Sequence, residues 1–276
     1  MCYEGSLSVD VTDLRDFYAT PFGRFVRLNL SRRVRQIWPD MMGQRLLGLG
    51  FATPYLTQYS NEAERMLAVM VPKQGVMHWP NVGPRLVTLA EEDALPLPDR
   101  AVDRLLMVHC LENSTRLQHV LRECWRVLTD GGRILVVVPN RRGLWARIER
   151  TPFATGTPYS KGQLTRLLEE CLFVPTKVLT ALSFPPLGWR PFQSWATAIE
   201  AVGARWFSTF AGVVLVECTK QIYSTPMEKA LLRTSRDYVI TPGAAGNKLS
   251  RTQYSAFGIE QTRLVRSKDL PTVLSH

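Results

Sequence analysis

Apolar positions along this chain fall into two periods. Between Val11 and Pro39, the run FVRLNLSRRVRQIW sets Phe25, Leu28, Val34, Ile37 and Trp38 at helical spacing with arginines between them. Pro39 and Gly43 close that helix. Short apolar runs then follow at Arg45–Gly50, Met66–Val71, Arg85–Ala90, Asp103–His109 and Arg133–Pro139. Near-continuous runs of this kind suit strands buried on both faces of a parallel sheet. The link PKQGVMHWPNVGP, between the second and third runs, carries too many breakers for a full helix.

After Asn140 the pattern changes. A basic, aromatic loop precedes a helix, KGQLTRLLEECLF, with Ser160 as its N-cap. The segment FVPTKVLTALSF, a turn at Pro185–Pro186, a helix around Trp195–Val202 and a strand at Gly212–Tyr223 complete the ordered part. From Ser224 to His276 no period survives, and Gly, Ser, Thr and Pro are interspersed, which predicts an extended or disordered tail. The expected organisation is a helical prelude over 1–44, one domain over 45–223 and a basic tail over 224–276.

Composition narrows the class. Hydrophobic residues at 45% and charged residues at 21% are ordinary for a globular chain, and no run reaches the roughly 20 apolar residues of a membrane helix. The opening MCYEGSLSVDVTD has neither a basic nor an apolar signal region, and Cys2, Cys110, Cys124, Cys171 and Cys218 form no C-x-x-C pair. These features predict a cytoplasmic protein with reduced thiols and no metal site. The net charge of +10 suits a polyanionic partner such as RNA, or simply a basic surface. Part of the excess lies after Thr219, where nine Lys/Arg face four Asp/Glu.

The most informative stretch is Glu91–Gly132, EEDALPLPDRAVDRLLMVHCLENSTRLQHVLRECWRVLTDGG, continued by RILVVVPN. An acidic turn, LPLPD, a strand, LEN, a helix, RVL, a Gly-Gly turn and a strand ending in Pro-Asn follow in that order. This succession resembles the central part of class I S-adenosylmethionine (SAM) methyltransferases, confidently over Leu46–Asn140 and more loosely over Phe17–Tyr223. The resemblance implies an α/β, Rossmann-like fold. Its seven-stranded, mostly parallel sheet would have an antiparallel last strand and helices on both faces, with SAM as cofactor at the carboxyl ends of the strands.

Carried over by position, the family's acid-x-Gly-x-Gly-x-Gly turn falls on LLGLGFATPYL. Gly48 stands where the acid does, Gly50 on the first glycine, Ala52 on the second and Pro54 on the third, with Phe51 and Thr53 between them. The second strand, which should end in an acid for the ribose hydroxyls, ends in Met70 and Val71, and Gln74 offers only a neutral substitute. Loss of that carboxylate weakens binding by a few kcal/mol. The third element keeps its acids: Glu91 for the adenine amino group, then Glu92 and Asp93 where a backbone N–H faces the ring. Asp103 opens the fourth strand at a packing and capping position. His109 ends that strand as cofactor contact and candidate base, while Cys110 points away by strand alternation.

On the substrate side, Arg141, Arg142, Trp145, Arg147 and Arg150 cluster after the fifth strand, with Tyr159 and Ser160 beside the same mouth. Guanidinium groups interleaved with an indole suit phosphate clamping and base stacking; a solvated basic turn with Trp145 packed inward is the alternative. Neither an Asn/Asp-Pro-Pro-aromatic motif nor a C5-pyrimidine cysteine motif occurs. Three functions stay open: methyl transfer to RNA, a translation-related protein or a phosphorylated small molecule; a catalytically inactive scaffold subunit of the same fold; and a plain nucleic-acid-binding module. Some relatives pair the exposed third strand with a small zinc-binding activator, so that edge, flanked by Met77 and Trp79, is a candidate partner surface.

Overall fold

The computed structural model describes residues 9–148, 151–183 and 211–222. Two helices, α1 (Val11–Ala19) and α2 (Pro21–Ile37), replace the single predicted one. The break has a local cause. Thr20 caps α1 by donating its N–H to Phe17 and then caps α2 by accepting from Gly23, while Pro21 has no N–H with which to continue. The inner stripe of α2 is Val26, Leu30, Val34 and Ile37, whereas Leu28 faces solvent.

The sheet has the order β3-β2-β1-β4-β5-β7-β6. Its strands are β1 (Arg45–Gly50), β2 (Arg65–Met70), β3 (Val87–Leu89), β4 (Val102–Val108), β5 (Leu128–Pro139), β6 (Phe173–Ala181) and β7 (Val213–Lys220). Only β7 runs antiparallel to its neighbours, as expected. The fifth strand starts earlier than its apolar run suggests, because Leu128 already pairs with Val102. A register shift absorbs the TDGG turn before Arg133 meets Arg104. Ser160 caps α5 (Lys161–Glu170) in a full capping box with Gln163. The predicted Pro185–Pro186 turn, Trp195–Val202 helix, Arg150 and tail lie outside the described residues.

Alternation along each strand feeds two apolar layers. Leu46, Leu106, Leu135 and Leu215 pack with α1, α2 and the short α3 (Thr53–Leu56). Leu47, Leu105, Ile134 and Val214 pack with α4 (Leu117–Val127) and α5. Asp103 ties the lower ends of β1 and β4 by accepting from the backbone and guanidinium of Arg45, each at 3.0 Å. Four buried cysteines are free, and burial pushes their thiols up, which makes them unreactive. Among the described residues no helix is long and apolar enough to cross a membrane.

Candidate active site

Helix α1 meets the residues that follow β1, β2 and β4 through Phe51, Gln74 and His109. Gly50 ends β1 with φ +75°, and a Cβ there would lie 2.5 Å from the Val108 carbonyl and 2.8 Å from the Cys110 Cβ. Only glycine permits that approach. Phe51 then donates its N–H to Val108 at 2.9 Å, so the first turn is drawn tightly against β4. At Gly48 an added Cβ would meet the Leu56 side chain at 2.7 Å and the Ala52 Cβ at 2.9 Å. The small residue lets α3 close on β1, and the space of a carboxylate is filled.

His109, immediately after β4, is buried in the left-handed region at φ +52°, which is uncommon for a non-glycine residue and often found at functional sites. Its Nε2 lies 2.9 Å from the Tyr18 hydroxyl, and Tyr55 donates to Tyr18 at 2.9 Å. Its Nδ1 faces Glu112 Oε1 at 3.3 Å. Phe153 lies at 4.9 Å between ring centroids, and Tyr18 stacks on Phe51 at 5.7 Å. Glu112 is buried and neither of its carboxylate oxygens has a hydrogen-bond partner. Burial, then the neighbouring Tyr55 and Glu112, push the Tyr18 hydroxyl well up; burial and Glu112 push that of Tyr159 up to about 12.

Above β1 the site is crossed by the chain itself. The Gln74 side-chain amide donates to the His109 carbonyl, and the Gln74 carbonyl accepts from the first N–H of α1, at Val11, at 2.7 Å. Met70 and Val71, where β2 ends, are buried and apolar. In the turn after β3, Glu91 is exposed and Asp93 pairs with Arg116 at 3.2 Å. Glu92 instead turns inward, its Oε2 without a hydrogen-bond partner and Lys73 3.8 Å from its other oxygen.

The family described as "Methyltransferase domain" matches residues 47–136. Residues 47–136 thus match a methyltransferase domain, and the sheet order and the reversed β7 give the chain the fold of the class I methyltransferases. Sequence relatives include a demethylmenaquinone methyltransferase of Tropheryma whipplei (strain Twist), 48% identical over 42 residues, which are 15% of this chain and 18% of that protein. Another is a ubiquinone/menaquinone biosynthesis C-methyltransferase of Rubrivivax gelatinosus, 32% identical over 124 residues, or 44% of this chain and 49% of that protein. The chain thus spans half or less of the length of these curated relatives. A SAM-dependent methyltransferase structure from Thermotoga maritima shares the fold with a TM-score of 0.54 and 19% identity, over 76% of this chain and 96% of that one. A methyltransferase crystallised with the Trm112 activator of Haloferax volcanii does so with 0.54 and 15%, over 76% and 99%.

The anticipated residues separate into groups. Gly48, Gly50, Phe51, Ala52, Thr53, Met70, Val71, Glu92 and His109 gather, buried, at the carboxyl end of the sheet. Glu91 and the guanidinium-bearing Arg141, Arg142 and Arg147 face solvent. Trp145 does not stand among those arginines at the surface: its indole is fully buried, stacked on Phe22 at 5.5 Å and edge-on to Phe153. Tyr159 is nearly buried and joins the loop by donating its N–H to Pro139 and accepting from Arg141. Tyr18, Tyr55 and Glu112 were not anticipated. Only Glu112 left a signal, three positions after His109 on the same turn.

Proposed function

We propose that this protein transfers a methyl group from SAM to a small, flat, hydroxyl-bearing ring. The observation that carries the reading is the buried carboxylate of Glu92, in the turn after β3, whose Oε2 has no hydrogen-bond partner. A buried oxygen left without a donor is costly, and a donor-rich ligand such as SAM offsets that cost. The residues fit the cofactor at the third and fourth strand ends: Glu92 and the Glu91–Asp93 turn toward the adenine, His109 and the Gly50–Phe51 turn toward the amino-acid end. At the first two strand ends the usual acids are missing, which supports weak binding. When bound, SAM supplies an electrophilic methyl group. The rings of Tyr18, Phe51 and Phe153 around His109 favour a planar acceptor by stacking. Demethylmenaquinone, which the Tropheryma whipplei relative is named for methylating, has that shape. The exposed Arg141, Arg142 and Arg147 would meet any acidic part of the acceptor.

Calorimetric titration of the full chain with SAM tests the cofactor, and transfer of radiolabelled methyl to 1,4-naphthohydroquinone tests the acceptor. Heat on titration and a labelled naphthol product are expected; no heat and no thermal shift at millimolar SAM would sink the proposal. That failure would favour a second reading, an inactive scaffold subunit. It draws on the Gln74 amide that already occupies the His109 carbonyl.

We further propose that the β3 edge takes a small zinc-binding partner chain. Support comes from its geometry: β3 bonds β2 through the Leu86 carbonyl and the Ala90 N–H, so residues 87 and 89 direct their backbone groups outward.

A further inference from the structure

We propose that Glu112 is the proton store of this site, reached from Tyr18 through His109. The inference rests on the methyl-transfer reading above and adds the path by which the acceptor loses its proton. The hydrogen-bond order is set by the partners. Tyr55 donates to Tyr18, so the Tyr18 proton is directed to His109 Nε2, which leaves the imidazole proton on Nδ1, facing Glu112 at 3.3 Å. The Tyr18 oxygen keeps one lone pair free. A proton leaving the acceptor hydroxyl goes to that lone pair as the Tyr18 proton passes to Nε2 and the Nδ1 proton passes to Glu112. The acceptor's electron pair forms the new bond to carbon, and the carbon–sulfur pair stays on sulfur. Tyr18 and His109 end neutral, as they began, and the only change of charge is carboxylate to carboxylic acid at Glu112.

Position makes Glu112 suited to that end of the chain. Its side chain is 1% exposed, and His109 Nδ1 faces its Oε1 at 3.3 Å. The groups facing the relay are Tyr18 from α1, Tyr55 from α3, Cys110 beside His109, and Tyr159 after β5. Burial pushes their hydroxyl and thiol groups up, so each keeps its proton. The left-handed turn at His109 sets both ring nitrogens between elements that are distant in sequence.

The test uses the full chain labelled with nitrogen-15 in histidine, without cofactor. In the wild type, the His109 resonances should show a protonated Nδ1 and a bare Nε2. Tyr18→Phe should move the Nε2 resonance and Glu112→Gln the Nδ1 resonance. Both variants should lose about 100-fold in methyl transfer to 1,4-naphthohydroquinone, and Tyr18→Phe should still give heat with SAM. A purely structural role would leave the tautomer unmoved. Unmoved nitrogen resonances in both variants, or undiminished rates in both, overturn the relay. A wild type that gives no heat with SAM removes the underlying reading together with it.

Discussion

Trp38 donates its indole N–H to Glu217 at 2.9 Å, joining the end of α2 to the buried side of β7. Thr176 at 2.8 Å and Arg133 at 3.2 Å also donate to this fully buried carboxylate. Burial alone would raise its pKa, but the hydrogen bonds from Thr176, Trp38 and Arg133 outweigh burial and hold it below the usual value of 4.5. Glu217→Ala strands three donors and should lower stability by about 3 kcal/mol at pH 7. A depressed folded pKa means that the contribution is complete above 4.5 and fades as the pH falls through the lower folded value. Urea unfolding of both chains should therefore show a gap that is constant from neutrality down to that point and narrows below it. A gap under about 1 kcal/mol at pH 7 would contradict the assignment.

The second expectation concerns Gly48. Restoring the acid with Gly48→Asp puts a Cβ 2.7 Å from Leu56 and 2.9 Å from Ala52. Overpacking together with an unpartnered charge should cost about 3 kcal/mol or more without strengthening SAM binding. In the Gly48→Asp, Leu56→Ala double variant the space is open, so part of the stability should return and the affinity for SAM should rise. Urea unfolding and calorimetry read the two effects separately. A stable single variant would mean that α3 does not limit this position.

Much of the scaffold was legible because strand burial is written in near-continuous apolar runs such as MLAVMV and RILVVVP. Pro21 marks the Thr20–Pro21 break, but the flanking helical period runs across the cap and hides it. The site was legible only where contacts are local. Glu112 lies three residues from His109, whereas Tyr18 reaches His109 from 91 positions away, a pairing that no local pattern encodes. Trp79 and Trp145 sit beside breakers and basic residues that suggest a surface. Packing turned both inward, because large rings bury the most apolar area. The Gly48 substitution was visible, but its meaning was not: the sequence shows a missing acid, and the packing shows the space already taken.

The last expectation concerns the β3 edge. This strand is only three residues long, shorter than its apolar run, and Leu89 on it is 47% exposed. Trp79, expected as an anchor on that surface, is buried with its indole N–H 3.4 Å from Thr57 Oγ1, so any partner must rely on the backbone and on Leu89 and the half-buried Met77. Strand addition at such an edge uses main-chain hydrogen bonds for affinity and side-chain contacts for choice of partner. Leu89→Pro removes an outward N–H that β2 does not use, so the fold should survive while the added strand loses a bond. The protein purified from its own cells should carry a second, smaller polypeptide and zinc by native mass spectrometry and metal analysis, and the proline variant should carry neither. A wild-type chain that is monomeric, zinc-free and fully active in methyl transfer would show that the edge is left open.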